Sequence, residues 1–306
     1  MPKGCDVNVL WQKVYETIRT VSPNTMISSY RGDVCASTGS LYMNNGPAPN
    51  STDPSGCKGP FSEEGKFFHP TEMHGITIQE GPDGNSDTKP TYWFWHPWAC
   101  AGNVSGCPWV GHANASRIFD SYLTTVGHGA VLNMNIPPER TGRMNASVKE
   151  VMQTVGKAFN DTFKVSVASL AQPTSAPCGP GVAMITLPTD NVHTDAGSLF
   201  DYVQTQEDLT KGQRIANYSV EFQRTGSTDW EVLVQPVIKK KALGDRPDGH
   251  DPRDQYVGHK RIDLPIVNGT KTQGIAKVRF NCIRSIADPV YIRSFSLHKK
   301  TVPWEQ

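Results

Sequence analysis

Gly127-His128-Gly129-Ala130-Val131-Leu132-Asn133-Met134-Asn135-Ile136-Pro137-Pro138-Glu139-Arg140-Thr141-Gly142 is the stretch on which the fold reading turns. Ala130 to Ile136 reads as a strand, and the proline pair after it can neither donate to a ladder nor extend it. Before it, Ile118, Phe119, Tyr122 and Leu123 recur at helical spacing. After it, Ser147-Val148-Lys149-Glu150 reads as a capping box opening a helix that buries Val148, Val151, Met152, Val155 and Phe159. Helix, strand, helix in succession points to a parallel α/β arrangement.

Working outward toward the N-terminus, Tyr92-Trp93-Phe94-Trp95-His96-Pro97 reads as a short aromatic strand. Phe68-His69-Pro70-Thr71-Glu72 and Ile76-Thr77-Ile78-Gln79 lie ahead of it. A long Gly-, Pro-, Asn- and Ser-rich loop runs from Arg31 to about Gly65, and Thr25 to Tyr30 reads as a short strand. Leu10, Val14, Ile18 and Val21 predict an amphipathic helix over about 7–21, stopped by Ser22-Pro23-Asn24. One carboxylate close to a dense aromatic cluster, with polar groups at a strand end, suits a site that handles a sugar ring. The residues alone support an aromatic-lined or carbohydrate-active pocket.

These segments resemble the alpha-L-fucosidases of glycoside hydrolase family 29. The family pattern is Pro-x-Glu, a Thr-Ile-Gln-like segment, Trp-Phe-(Trp/Tyr)-His, a helix, then Ala-x-Leu-x-x-Asn-Ile-Pro-Pro-(Asp/Glu)-Arg-x-Gly. All are met here in order. The resemblance implies an α/β plus all-β chain, a (β/α)8 TIM barrel followed by a β-sandwich. It also implies hydrolysis of terminal L-fucose with retention, and no metal or other cofactor. Only about three barrel strands are legible, so residues 1–163 read as the C-terminal portion of the barrel and 164–306 as the sandwich. With no basic and apolar leader in Met1-Pro2-Lys3-Gly4-Cys5-Asp6, the chain reads as truncated at its N-terminus.

Retaining glycosidases set two carboxyl groups about 5–5.5 Å apart, one a nucleophile and one an acid/base. The resemblance places the acid/base at Glu72, where neighbouring aromatic surface would raise its pKa. Met73-His74-Gly75 lacks the acidic residue that usually follows in the family, and Glu63 or Glu64 is the next candidate. The bland reading of Glu72 is an exposed loop glutamate. Trp93, Trp95 and His96 are candidates to line the sugar pocket, against the simpler reading that they are core. In an extended strand Trp93 and Trp95 share one face, opposite Phe94 and His96. Arg31, after the first recognisable strand, is a candidate for ordering the site. Asn133 and Asn135 more simply fix a turn. The family's nucleophilic aspartate aligns at Pro2 and is absent, and Asp6 is the nearest substitute. The alternative function is a non-catalytic carbohydrate-binding or scaffold protein.

From about Lys164 the texture changes to short β-rich runs: Val165–Ala168, Val182–Ile185, Ser219–Phe222, Trp230–Val234 and Val278–Phe280. Turn clusters such as Thr225-Gly226-Ser227 separate them, which is the pattern of an all-β sandwich. Gly212-Gln213-Arg214-Ile215 with Tyr218, and Val257-Gly258-His259-Lys260-Arg261-Ile262, resemble the family's sandwich. Lys239-Lys240-Lys241 reads as a solvated edge.

Thirty basic residues against 29 acidic ones give a net charge of +1, which calls for neither nucleic acid nor an anionic membrane. No stretch is apolar enough to span a bilayer. The expected partner is a fucosylated glycan or glycoprotein. Seven Asn-x-Ser/Thr sequons (Asn50, Asn103, Asn114, Asn145, Asn160, Asn217 and Asn268) exceed the roughly two or three expected by chance and predict a glycosylated, secretory-route protein; with the family resemblance this implies a secreted or lysosomal/vacuolar setting. Seven cysteines leave one over after pairing. Cys100 and Cys107 flank a Gly- and Pro-containing loop and suggest a local disulfide. With His96 and His112 they also evoke zinc, but the spacing fits no standard finger.

Overall fold

The computed structural model describes residues 7–25, 35–37, 71–77, 79–80, 111–112, 114–129, 131–139, 141–179, 183–189, 200–234, 257–265, 274–285 and 287–305. Helix α1 spans Val7–Val21, as its spacing predicts. Its apolar stripe is less covered than that spacing suggests: Val14 and Val21 are exposed. Arg19 donates to the carbonyls of Pro23 and Thr25 at 3.0 and 2.6 Å. A cation there faces the negative end of the helix dipole, and Pro23 forbids another helical turn.

Strands β1 (Cys35–Ser37), β2 (Thr71–Thr77) and β5 (Val131–Asn135) form a parallel sheet in the order β1-β2-β5. Ala36 and Val131 flank Glu72 on either side, and Thr77 lies opposite Asn135. Strands β3 (Gln79–Glu80) and β4 (Gly111–His112) pair antiparallel. The anticipated strands at Thr25–Tyr30 and Tyr92–His96 fall outside the described residues beyond Thr25, which is in a turn-bounded coil.

Helices α2 (Ala115–Thr124) and α3 (Ala146–Phe163) flank β5 in sequence. The start of α3 differs from the capping-box reading. Asn145, not Ser147, is the N-cap: its side-chain oxygen accepts from Ser147 N at 2.9 Å. Asparagine caps as well as serine does, so the local sequence offered two starts two residues apart. Asn145 also donates to Glu139 Oε1 at 2.6 Å, a contact open to no serine at 147, and that tertiary bond favours the earlier start. Asn114 caps α2 in the same way, accepting from Arg117 N at 2.8 Å. Val148 and Val155 of α3 pack with Ile118 of α2, joined by Met134 of β5 and Ile136 just after it.

The rest of the described chain is antiparallel and forms two sheets. One joins β8 (Ala183–Pro188), β10 (Ile215–Arg224), β11 (Trp230–Val234) and β13 (Ile275–Ser285) in the order β11-β10-β13-β8. The other orders β12 (Arg261–Asp263), β9 (Tyr202–Glu207), β14 (Val290–His298) and β6 (Ala168–Ser169), with β7 (Thr174–Ala176) also on β14. Alternate residues Tyr218, Val220 and Phe222 of β10 point inward and are fully buried, with Phe280, Phe295 and Leu233 from neighbouring strands. This period-two burial between two sheets is a β-sandwich. The expected strand over Val165–Ala168 shrinks to Ala168–Ser169, and Val165 is exposed. Cys178 and Cys282 form a disulfide across 104 residues, a pairing that the sequence had left open.

Candidate active site

Glu72 is the one candidate carboxylate whose backbone the structure describes. It is the second residue of the central strand of the parallel sheet, between Ala36 and Val131. The plainer reading of Glu72 as a loop residue is not met, since its backbone lies within β2. The β-branched run Ile76-Thr77 keeps the backbone extended past the glutamate, so Glu72 begins β2 and does not follow it. Arg31, Trp93, Trp95, His96 and Asp6 lie outside the described residues, as do Cys100 and Cys107 with their suggested disulfide. Among the described residues no group of three or more His, Cys, Asp or Glu could hold a metal ion.

The segment after β5 is a built turn. Glu139 N donates to Arg143 O and Gly142 N to Glu139 O, both at 2.8 Å, with Gly142 at φ 76°. Only glycine takes that backbone without strain. Glu139 is then held by the α3 cap, Asn145. The Pro-Pro-Glu-Arg-x-Gly motif thus locks the C-terminal end of β5 onto the next helix. Asn135 is half-buried at that end and Asn133 is exposed.

Beneath the parallel sheet, the helices meet the sandwich through a continuous core. Phe119, Ala158, Tyr202, Ile262 and Val302 are buried together, with Tyr122, Phe163 and Trp304 against them. Phe119 sits 5.3 Å from Phe159, and Phe163 lies 5.6 Å from Tyr202, ring centre to ring centre. Polar bonds fix the register. Ile262 N donates to Gly127 O at 2.7 Å, and His128 forms an antiparallel bridge with Arg261. Lys260 Nζ donates to Tyr122 Oη at 2.8 Å. The chain between α2 and β5 is therefore an added edge on β12.

Behind that edge lies a charged cluster that the sequence did not single out. Arg261 and Asp263 are 4 % and 7 % exposed. Arg261 Nε donates to Asp263 Oδ1 at 2.9 Å, and the buried Tyr218 hydroxyl donates to Asp263 Oδ2. Buried charges persist only when paired and hydrogen-bonded. Burial, then the Arg261 guanidinium, holds the His128 imidazole down at about 4. Burial, then Lys260, lowers His259 to about 4 as well.

Glu207 is a second buried anchor. Its Oε1 accepts from Arg214 N at 2.7 Å and Ile215 N at 2.9 Å, and its Oε2 accepts from Gly258 N at 2.8 Å. Burial pushes its carboxyl up to about 7 against the pull of those three donors. Both sandwich motifs therefore converge. Gly212–Tyr218 and Val257–Ile262 meet at Glu207 and again at the Tyr218–Asp263–Arg261 cluster. A signal for this existed in the two motifs, but nothing local showed that they touch.

No family model matches the chain. A search of curated proteins finds Alpha-L-fucosidase 1 of Arabidopsis thaliana, 26 % identical over 183 residues, covering 48 % of this chain and 36 % of that one. The chain is similar to the alpha-L-fucosidases. It spans about a third of the length of the Arabidopsis fucosidase. Among solved structures, a glycoside hydrolase 29 family member from a rumen bacterium covers 95 % of this chain and 45 % of its own, at TM-score 0.60 and 18 % identity. The Ruminococcus gnavus GH29 fucosidase in complex with fucose covers 95 % of this chain and 57 % of its own, at TM-score 0.59 and 15 % identity. At those identities the structural likeness speaks to the fold, which the chain shares with the family 29 fucosidases.

Proposed function

We propose that this chain is part of a retaining alpha-L-fucosidase that releases terminal L-fucose from glycans. Its α1-to-α3 portion is the C-terminal part of a (β/α)8 barrel, residues 1–163, and residues 164–306 are the sandwich that braces it. Glu72 is the acid/base. Trp93, Trp95, His96 and Arg31 line or order the fucose pocket. The aspartate nucleophile is not met at its aligned position, Pro2, and Asp6 is the substitute within the chain. The observation that carries the reading is the parallel sheet β1-β2-β5 with Glu72 on its central strand, in a fold shared with family 29.

In the mechanism this implies, the nucleophile attacks the anomeric carbon while Glu72 protonates the leaving oxygen. Glu72 then takes a proton from the water that cleaves the glycosyl intermediate. The reaction requires no metal. The Cys178–Cys282 disulfide and the seven sequons support a secreted or lysosomal/vacuolar setting.

The test compares the 306-residue chain with a version extended by the missing barrel strands, on an aryl fucoside. The extended protein gains activity. In it, Glu72→Ala slows substrates with poor leaving groups by roughly 10²–10⁴-fold and activated ones far less. Added azide then speeds turnover of an activated substrate, since azide needs no general base. If Glu72→Ala matches wild type on every substrate, the acid/base lies elsewhere, a result that its position at the start of β2 makes worth seeking. Glycan retention without turnover by both proteins would favour a binding module.

A further inference from the structure

Four of the seven sequons fall on described residues, and the fold treats them very differently. Asn145 is spoken for at both ends of its amide: the oxygen caps α3, and Nδ2 donates to Glu139 at 2.6 Å. Asn217 lies within β10, opposite Arg284 of β13 at a register shift, with its side-chain oxygen buried. An oligosaccharide on Asn145 Nδ2 would crowd the contact with Glu139, and one on Asn217 would start beside a buried oxygen within a paired strand. Asn114 is exposed, and its oxygen accepts from Arg117 N. Asn160 is exposed on α3, on the face opposite Val148, Val155, Ala158 and Thr162, which are buried.

We infer that Asn160 is an N-glycosylation site that is captured during synthesis and sealed by folding. The step joins Asn160 Nδ2 to C1 of an oligosaccharide carried on a lipid pyrophosphate. The C1–N bond forms, the C1–O bond to the pyrophosphate breaks, and Nδ2 gives up one proton. The acceptor signal needs the hydroxyl of Thr162 as well as the asparagine. In the folded protein that hydroxyl is wholly buried. It donates to Thr301 O and accepts from Thr301 N, both at 3.1 Å. Thr301 is made 139 residues later. At about 5–20 residues per second, α3 is out for several seconds before the segment after β14 that hides its hydroxyl exists. Asn160 itself stays on the surface after closure, so the finished glycan is carried without disturbing the seam. Asn114 meets the same surface condition, whereas Asn145 and Asn217 are half-buried and disfavour a glycan.

This rests on the secretory reading. The test therefore supplies the route: the chain is fused to a cleavable secretory leader, expressed in eukaryotic cells, and the secreted protein is mapped by glycopeptide mass spectrometry. Asn160 is expected to be occupied, and Asn145 and Asn217 bare. Asn160→Gln should remove one glycan's worth of mobility while leaving the thermal midpoint unchanged. Purified, folded, unglycosylated chain incubated with an oligosaccharyltransferase and a lipid-linked donor should remain unmodified at Asn160, and truncation before Thr301 should restore acceptance. A bare Asn160 in the secreted protein, or an occupied Asn217, overturns the inference. Efficient modification of the folded full chain overturns the sealing. If the occupancy pattern holds but the natural protein is found in the cytosol, the secretory reading fails and the inference fails with it, whereas a bare Asn160 in secreted protein overturns the inference alone.

Discussion

His128 and Arg261 face each other across an antiparallel bridge that joins the end of α2 to the sandwich strand β12. That bridge lies one residue from Gly127, whose carbonyl takes the Ile262 amide. A Cβ at Gly127 would meet Leu123 O at 2.2 Å and Ile262 Cβ at 3.1 Å. Backbone cannot yield cheaply at the first contact. Gly127→Ala is therefore expected to destabilise the chain by about 1–3 kcal/mol, read as a lower urea midpoint. An unchanged midpoint would mean that the loop is looser than described.

The sandwich expressed as residues 164–306 would leave Tyr202, Ile262 and Val302 without the α2 and α3 side chains that bury them. A fragment beginning at Asn114 retains those partners. The longer fragment should melt cooperatively at the higher temperature, and the shorter one should bind a hydrophobic dye. Equal melting temperatures would make 163/164 a true domain boundary.

Asp263 holds both Arg261 and Tyr218. Asp263→Ala strands a buried guanidinium and should cost about 3–5 kcal/mol. Tyr218→Phe deletes one hydrogen bond and should cost about 1–3 kcal/mol, since Asp263 keeps Arg261. Chemical denaturation of the two variants checks the order, which reverses if the tyrosine is the keystone.

The chain should lose stability on acidification between about pH 6.5 and 4. His128 and His259 are held at about 4 in the fold, and His298 is lowered too, chiefly by burial. The unfolded chain binds those protons first, so stability is full above 6.5 and falls as pH drops toward 4. Glu207, raised to about 7, acts oppositely, favouring the fold as pH falls from 7 toward 4.5. The net should be on the order of one to two protons, each worth about 1.4 kcal/mol per pH unit. His128→Asn should flatten the dependence of the thermal midpoint on pH, and an unaltered slope would exclude His128.

Reduction of Cys178–Cys282 opens a 104-residue loop. In the chain-entropy account a crosslink of that span is worth about 4.7 kcal/mol. Cys178→Ser should lower the denaturation midpoint accordingly and make it insensitive to added reductant.

The parts of this structure written in local pattern were legible. α1, α2, β5 and β11 follow from spacing and turn residues within a residue or a few, because a 3.6 or 2.0 period needs no knowledge of the partner. The start of α3 was not, since Asn145 competes with Ser147 and the deciding bond reaches back to Glu139. The disulfide, the Glu207 anchor and the Tyr218–Asp263–Arg261 cluster each join residues tens of positions apart, and no short-range signal ranks such pairs. Asn114 and Asn145 carry a further lesson. Asn-Ala-Ser is at once a sequon and a helix start, so some of the sequon excess reflects capping chemistry. For the candidate site, Glu72 was found as a residue of interest through its motif, while its place at the beginning of β2 was not foreseen.

The Gly127–His128 segment also answers a problem of colloidal behaviour. Among the described strands β12 pairs with β9 alone, through Thr205, Gln204 and Val203. Its other edge would present bare amides and carbonyls, a template on which a second molecule could add a strand. The connection from α2 occupies that edge within the same chain. Variants that loosen it should therefore clump before they unfold, showing light scattering at temperatures where the circular dichroism of the sandwich is still intact.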